Sequence, residues 1–131
     1  MTGEPVRTHV AEDATAGAWM ARASEDLVAA SVLFDRGLFS HAAFHAQQAA
    51  EKALKGLVIA RGGGLARTHD LDRLARDGKA PQPVADAAAF LTGFYTASRY
   101  PDVPGGVTAS DAEEAIQRAK EVHAWCQKQT S

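Results

Sequence analysis

The stretch that decides the fold is FSHAAFHAQQAAEKALKGL, which runs from Phe39 to Leu57. Alanine, leucine, lysine, glutamate and glutamine dominate this stretch, and all of them form helices readily. Apolar residues recur at steps of three and four, as they do on one face of a helix; they are Ala42, Ala46, Ala49, Ala53 and Leu57. The stretch therefore predicts a helix whose alanine-rich face packs against a core.

A second face of the same helix carries polar side chains at the same steps. These are His41, His45, Gln48, Lys52 and Lys55, which we call the polar row. Two interpretations stay open at this stage: a solvated outer face, and a local site for an anion. The two histidines lie one turn apart, as in metal-binding helices, but no third ligand is spaced to complete a metal shell. We therefore expect no metal site.

The length, charge and composition of the whole chain limit these interpretations. At 131 residues it predicts a single domain. Its formal net charge is −2, so an anion site must be local rather than a field of the whole protein. The single cysteine, Cys126, excludes an intrachain disulfide and fits a reducing compartment. No apolar run reaches the roughly 18 residues of a membrane span, and no signal peptide is visible. We expect a cytoplasmic protein.

Three further long helices are predicted around the Phe39–Leu57 helix. Residues 1–14 are polar and aperiodic, which indicates a tail, and we expect the helical bundle to occupy residues 15–131. Each helix should bury one apolar stripe. The stripes are Trp19, Ala23, Leu27, Ala30 and Leu33; Val84, Ala87, Leu91, Phe94 and Tyr95; and Ala112, Ile116, Ala119, Val122 and Cys126.

Breaker and capping residues predict where these helices begin and end. Glycine accepts the left-handed conformation that closes a helix, so Gly37 should end the first helix and residues 62–64 the second. Ser40 is the predicted N-cap of the second helix. Ser110 with Glu113 has the pattern of a capping box for the last helix.

Between the second and last long helices the sequence predicts one short and one long helix. Thr68 or Asp70 can cap the short helix, over Leu71 to Arg76, and Pro81 and Pro83 suit the first turn of the long helix. We find no strand-type alternation. The predicted fold is all-α, an up-and-down bundle of four long helices and one short helix.

Two further segments carry candidate chemistry. In Ser98–Asp102 (SRYPD), Arg99 stands where a proline stops the helix, and a guanidinium there can bind phosphate or carboxylate. An Arg99–Asp102 ion pair that holds a turn is the alternative. In Thr68–Leu71 (THDL), His69 can donate or accept protons near neutral pH, whereas Asp70 can be a helix cap.

Together, the second-helix run from His41 to Lys55, the THDL turn and the SRYPD segment resemble the HEPN domain family of bacteria and archaea. The resemblance extends from about Trp19 to Gln127. It implies an up-and-down helical bundle that often dimerises. Many members bind a minimal nucleotidyltransferase that is encoded beside them, commonly as a toxin–antitoxin pair, and some members are metal-independent ribonucleases.

The family's ribonucleases carry an arginine followed a few residues later by a histidine, near the start of the last long helix. Here no histidine follows Arg99 at that distance, and Arg36 with His41 straddles the first inter-helix turn instead. Carried over to this sequence, the resemblance implies a ligand pocket without a cofactor. The pocket residues are Gln48, Glu51, Lys52, Lys55, His69, Arg99, Tyr100 and Asp102.

The leading hypothesis is a dimeric protein that binds a nucleotide or nucleic-acid-related ligand and pairs with a minimal nucleotidyltransferase. One alternative is a toxin ribonuclease, in which His69 or His41 would be the general base and Arg99 would stabilise the phosphate. The other alternative is a structural dimer without a ligand. The absence of the arginine–histidine motif favours binding over catalysis.

Overall fold

The computed structural model describes residues 15–63, 70–99 and 106–130, and of residues 95–99 it describes the backbone alone. These ranges contain five helices and no strand. The helices are α1 (Ala16–Asp35), α2 (Phe39–Ala60), α3 (Leu71–Asp77), α4 (Gln82–Arg99) and α5 (Ala109–Thr130). The predicted all-α bundle of four long helices and one short helix is confirmed.

Helix α2 is the centre of the bundle. It packs against α1, α3, α4 and α5, whereas α1 and α4 do not meet within the described ranges. Half of its residues are buried, and the five predicted core positions from Ala42 to Leu57 are all completely buried. Most of these side chains are alanines, so neighbouring helices can approach closely. The alanine-rich face thus makes α2 a helix surrounded by others.

The apolar stripes of the other helices are largely confirmed. The predicted inner face of α5, from Ala112 to Cys126, is buried throughout. Most of the α1 and α4 stripes is buried or packed against the core. The side chain of Tyr95 lies outside the described residues. Burial raises the pKa of the Cys126 thiol to about 12 and the nearby charge of Arg61 opposes that rise, so this thiol stays protonated.

Both predicted glycine stops are confirmed. Gly37 has φ of 75° and Gly62 has φ of 83°. After α1, the Leu38 amide donates to the Leu33 carbonyl at 2.9 Å, and the Gly37 amide donates to the Phe34 carbonyl at 2.9 Å. These two bonds are the Schellman arrangement that closes a helix. The turn leaves only residues 36–38 between α1 and α2, so the two helices run antiparallel.

The predicted N-cap of α2 is wrong. The helix begins at Phe39, its N-cap is Leu38, and no side chain caps it, so Ser40 lies inside the first turn. The Schellman turn already fixes the Leu38 amide, and the ring of Phe39 packs against that of Phe34 with centroids 5.4 Å apart. The turn and this aromatic contact together set where α2 starts.

The capping box of α5 stands two residues earlier than predicted. The Asp111 amide donates to Thr108 Oγ1 at 3.1 Å, and the Thr108 amide donates to Asp111 Oδ2 at 3.1 Å. Threonine and aspartate thus form the reciprocal pair expected of Ser110 and Glu113. For α3, the Asp70 side chain accepts from two backbone amides and confirms the predicted cap; Thr68 lies outside the described residues.

Arg61 ties the C-terminal end of α2 to two other elements. Its guanidinium donates to the carbonyl of Gly78, at the end of α3, and to Gln129 Oε1 of α5 at 3.4 Å. It also lies over the ring of Trp125, 5.7 Å from the centroid. Since α4 begins just after Gly78, it starts beside the end of α2 and runs back along it. Its last turn therefore lies toward the N-terminal half of α2.

Lys79 offers a test of the helix-end assignments, because it ends α3 with φ of 57°, in the role that Gly37 plays after α1. A residue with a side chain is destabilised in this left-handed conformation by roughly 1–2 kcal/mol. Glycine avoids that strain, but it has more conformational freedom in the unfolded state, which offsets part of the gain in stability. We expect Lys79→Gly to raise the free energy of unfolding by about 0.5–1 kcal/mol in urea titrations. Gly37→Ala, the opposite change, should lower it. A less stable Lys79→Gly variant would contradict the assignment.

Candidate functional site

The polar row is bonded to a carboxylate from α1 that the sequence pattern did not single out. Asp26 is only 8% exposed. Its Oδ1 accepts from His45 Nδ1 at 2.9 Å, and its Oδ2 accepts from Lys52 Nζ at 2.7 Å. A buried carboxylate needs such partners to offset its lost hydration. One α1 side chain therefore holds two members of the polar row.

A second cluster lies farther around α2. Lys55 Nζ donates to Glu51 Oε2 at 2.9 Å, and Glu51 is buried. The side-chain amide of Gln47 donates to Glu51 Oε1 at 3.4 Å, and the side-chain amide of Gln48 donates to Gln47 Oε1 at 2.8 Å. The ammonium of Lys55 also lies 5.8 Å from the centroid of the Trp19 ring. Four of the five polar-row residues are thus held in two hydrogen-bonded clusters rather than standing as separate side chains.

The charges within this network balance. Lys52 is paired with Asp26, and Lys55 is paired with Glu51. The charges of these two lysines and two carboxylates sum to zero. His45 is partly exposed, and His41 is exposed one turn earlier. Among the described residues, both lysines of the polar row are therefore paired with carboxylates.

The structure brings four of the predicted pocket residues together on α2: Gln48, Glu51, Lys52 and Lys55. Arg99 is the last residue of α4, and its side chain lies outside the described residues. His69, Tyr100 and Asp102 also lie outside them.

A separate polar contact joins α1 to α5. Ser24 Oγ lies 3.0 Å from His123 Nε2, and both residues are half-buried. Burial lowers the pKa of His123, and a hydrogen bond with the Met20 backbone opposes that effect. Shallow grooves also lie between these two helices, one of them beside Ser24, and neither groove includes a residue of the polar row.

Two structural findings bear on other classes of site. In the part of the chain that the structure describes, no three histidine, cysteine or acidic side chains are grouped so that they could hold a metal ion. None of the described helices is both long enough and apolar enough to cross a membrane.

Comparison with known proteins agrees with this architecture. The family model described as HEPN domain matches residues 16–129. TT1696 from Thermus thermophilus is 35% identical with a TM-score of 0.80, and the match covers 87% of this chain and 97% of that one. ST0689, an archaeal HEPN homologue, is 34% identical with a TM-score of 0.78, and the match covers 89% and 98%. No curated protein matches the chain.

The half-buried His123 predicts a pH dependence of stability. A histidine whose pKa is lower when folded than the ordinary 6.5 binds a proton more readily when unfolded, so acid favours unfolding. We expect the free energy of unfolding to fall from about pH 7 to about pH 5. His123→Gln, which keeps a polar group toward Ser24, should weaken this fall in urea titrations. The exposed His41→Gln change is the control and should leave it unaltered. Identical profiles for wild type and His123→Gln would refute the assignment.

Proposed function

This chain belongs to the HEPN domain family, and on that premise we propose that it binds a nucleotide or nucleic-acid-related ligand. We further propose that it pairs in the cytoplasm with a minimal nucleotidyltransferase, in the manner of a toxin–antitoxin pair. The observation that carries the proposal is the network on α2, which holds two lysines and a histidine in fixed positions on a partly exposed helix face.

The paired lysines still have donors for a phosphate. An ammonium group has three N–H donors, and the contact to Asp26 uses one of those on Lys52, whose side chain is 27% exposed. Lys55 is more enclosed, at 12%. Because each carboxylate fixes its lysine, less side-chain freedom is lost when an anion binds. The proposed phosphate contacts are therefore positioned in advance by the fold.

The proposed roles follow from these positions and from the family resemblance. Lys52, Lys55 and Arg99 would bind phosphate, and Tyr100 would offer a ring on which a base can stack. Glu51 and Asp102 would orient the cations. Gln48 and His69 would complete the polar lining of the pocket.

Arg99 tests the ligand part of the proposal. We expect the Arg99→Ala variant to bind ATP more weakly than the wild type, because a charge-assisted hydrogen bond is lost. The binding free energy measured by titration calorimetry should fall by roughly 1.5–3 kcal/mol. Arg76→Ala, at an exposed position of α3, is the matched control and should bind as the wild type does. Equal affinities of the Arg99→Ala variant and the wild type would remove Arg99 from the site. RNA cleavage that is lost in His69→Ala would favour the ribonuclease alternative instead.

Assembly tests the partner part. We propose a homodimer, supported by exposed apolar side chains on and beside α1, where Val28 is 65%, Val32 54% and Leu38 47% exposed. Light scattering at micromolar concentration should report a dimer of the wild type and a smaller species for a Val28→Lys, Val32→Lys double variant. Addition of the proposed partner, a minimal nucleotidyltransferase, should produce a larger complex. A monomer that does not respond to that enzyme would contradict both proposals.

A further inference from the structure

We propose that the phosphate site on α2 is proton-linked, and that Asp26 is the positioning residue that makes it so by orienting His45. The inference rests on the proposed function and deepens it, because it specifies how the polar row recognises an anion. It concerns two residues, Asp26 and His45, that lie outside the predicted pocket. The geometry behind it is the pair of short contacts to the two oxygens of one buried carboxylate.

The first step is the tautomer of His45. An ionised carboxylate can only accept hydrogen bonds, so the contact between His45 Nδ1 and Asp26 Oδ1 requires a proton on Nδ1. In the neutral ring, Nε2 then carries a lone pair and no proton. Asp26 cannot turn away to relax this requirement, because its other oxygen accepts from Lys52 and the residue is buried. The fold therefore fixes which nitrogen of His45 is free.

The second step is what Nε2 presents to a ligand. A lone pair repels the oxygens of a phosphate, which are themselves acceptors. When His45 is protonated, Nε2 becomes an N–H donor and the ring gains a positive charge. Its side chain is 35% exposed, so a ligand can reach it. Protonation thus converts a repulsive contact into a charge-assisted hydrogen bond.

The third step is the charge around His45. From α1 it faces Asp26, and on α2 its charged neighbours are Lys52 and, one turn away, His41. The edge of Phe44 lies beside the ring, with centroids 5.6 Å apart. The ion pair of Glu51 with Lys55 adds no net charge. Because Lys52 and Lys55 are each paired with a carboxylate, a proton on His45 would add one positive charge to this part of the polar row.

If protonation of His45 and ligand binding are linked, the affinity must depend on pH, and this dependence can be measured. If binding requires a proton on His45, affinity falls as the pH rises through the range in which the imidazole loses that proton. The limit is roughly tenfold per pH unit for one linked proton. The same linkage makes the protein take up as much as one proton from the buffer when the ligand binds.

The experiment is titration calorimetry of the full chain with the dinucleotide UpU, in two buffers of different ionisation enthalpy near neutral pH. UpU is chosen because its phosphodiester does not titrate there, unlike a terminal phosphate with a second pKa of about 6. The dependence of the observed heat on the buffer gives the number of protons taken up. We expect net uptake by the wild type, and an affinity that declines as the pH rises.

The variants separate His45 and Asp26 from their neighbours. His45→Gln, which cannot be protonated, should bind UpU more weakly than the wild type at low pH and without proton uptake. His41→Gln is the matched control one turn away and should keep the uptake. Asp26→Asn should change both the affinity for UpU and the number of protons taken up. An amide can donate as well as accept, so it no longer fixes which nitrogen of His45 carries the proton. Circular dichroism and urea unfolding verify that each variant is folded.

Each outcome bears on one claim. Uptake that is present in wild type and His41→Gln but lost in His45→Gln supports the inference. UpU binding without uptake, or uptake that disappears in His41→Gln and persists in His45→Gln, overturns it and leaves the proposed ligand binding intact. Failure of the folded wild type to bind either UpU or ATP overturns the proposed function itself, and the inference with it.

Discussion

The close approach of α1 to α2 is the constraint on which the rest of the structure depends. The approach is tight at Gly56, where a Cβ atom would lie 3.1 Å from Trp19 Cβ and 3.2 Å from the Ala16 carbonyl oxygen. Along the rest of the contact, buried alanines on both helices allow the two helix axes to stay close together. At this separation the short side chain of Asp26 reaches across to α2. With bulkier residues between the helices, a carboxylate on α1 would not meet His45 and Lys52 together.

That contact explains why the sequence predicted the fold better than the site. The core of α2 follows from alanine periodicity, and the helix ends follow from glycines whose positive φ few other residues tolerate. Asp26 lies three residues after Ala23 and four before Ala30, in line with the apolar stripe of α1, and that spacing was the available signal. What it pairs with depends on how α1 lies on α2, which helical periodicity does not determine. The polar row consequently looked basic, although its lysines are neutralised from two different helices.

The same reasoning explains the errors at helix ends. Ser40 and Ser110 have the right chemistry for N-caps, but close to each of them another arrangement of residues starts the helix. The Schellman turn fixes the entry into α2 without any side-chain cap, and Thr108 with Asp111 forms the box two residues before the predicted one. Local motifs compete within a few residues, and the turn that precedes the helix decides between them. Such one- and two-residue errors leave the packing of α2 and α5 unchanged.

The hydrogen bonds of the buried Asp26 also help to fix the register of α1 on α2, which the alanine-rich contact alone leaves poorly defined. A seam of small, similar side chains has little to distinguish one register of α1 on α2 from another displaced by a helical turn of about 5.4 Å. Hydrogen bonds to a buried carboxylate do distinguish them, because Asp26 satisfies both oxygens only when it lies between His45 and Lys52, two turns apart. A displaced register would leave a buried charge with too few partners, and such a charge is costly. Asp26, His45 and Lys52 therefore help to set the register of α1 on α2, and the proposed ligand site would use the same side chains.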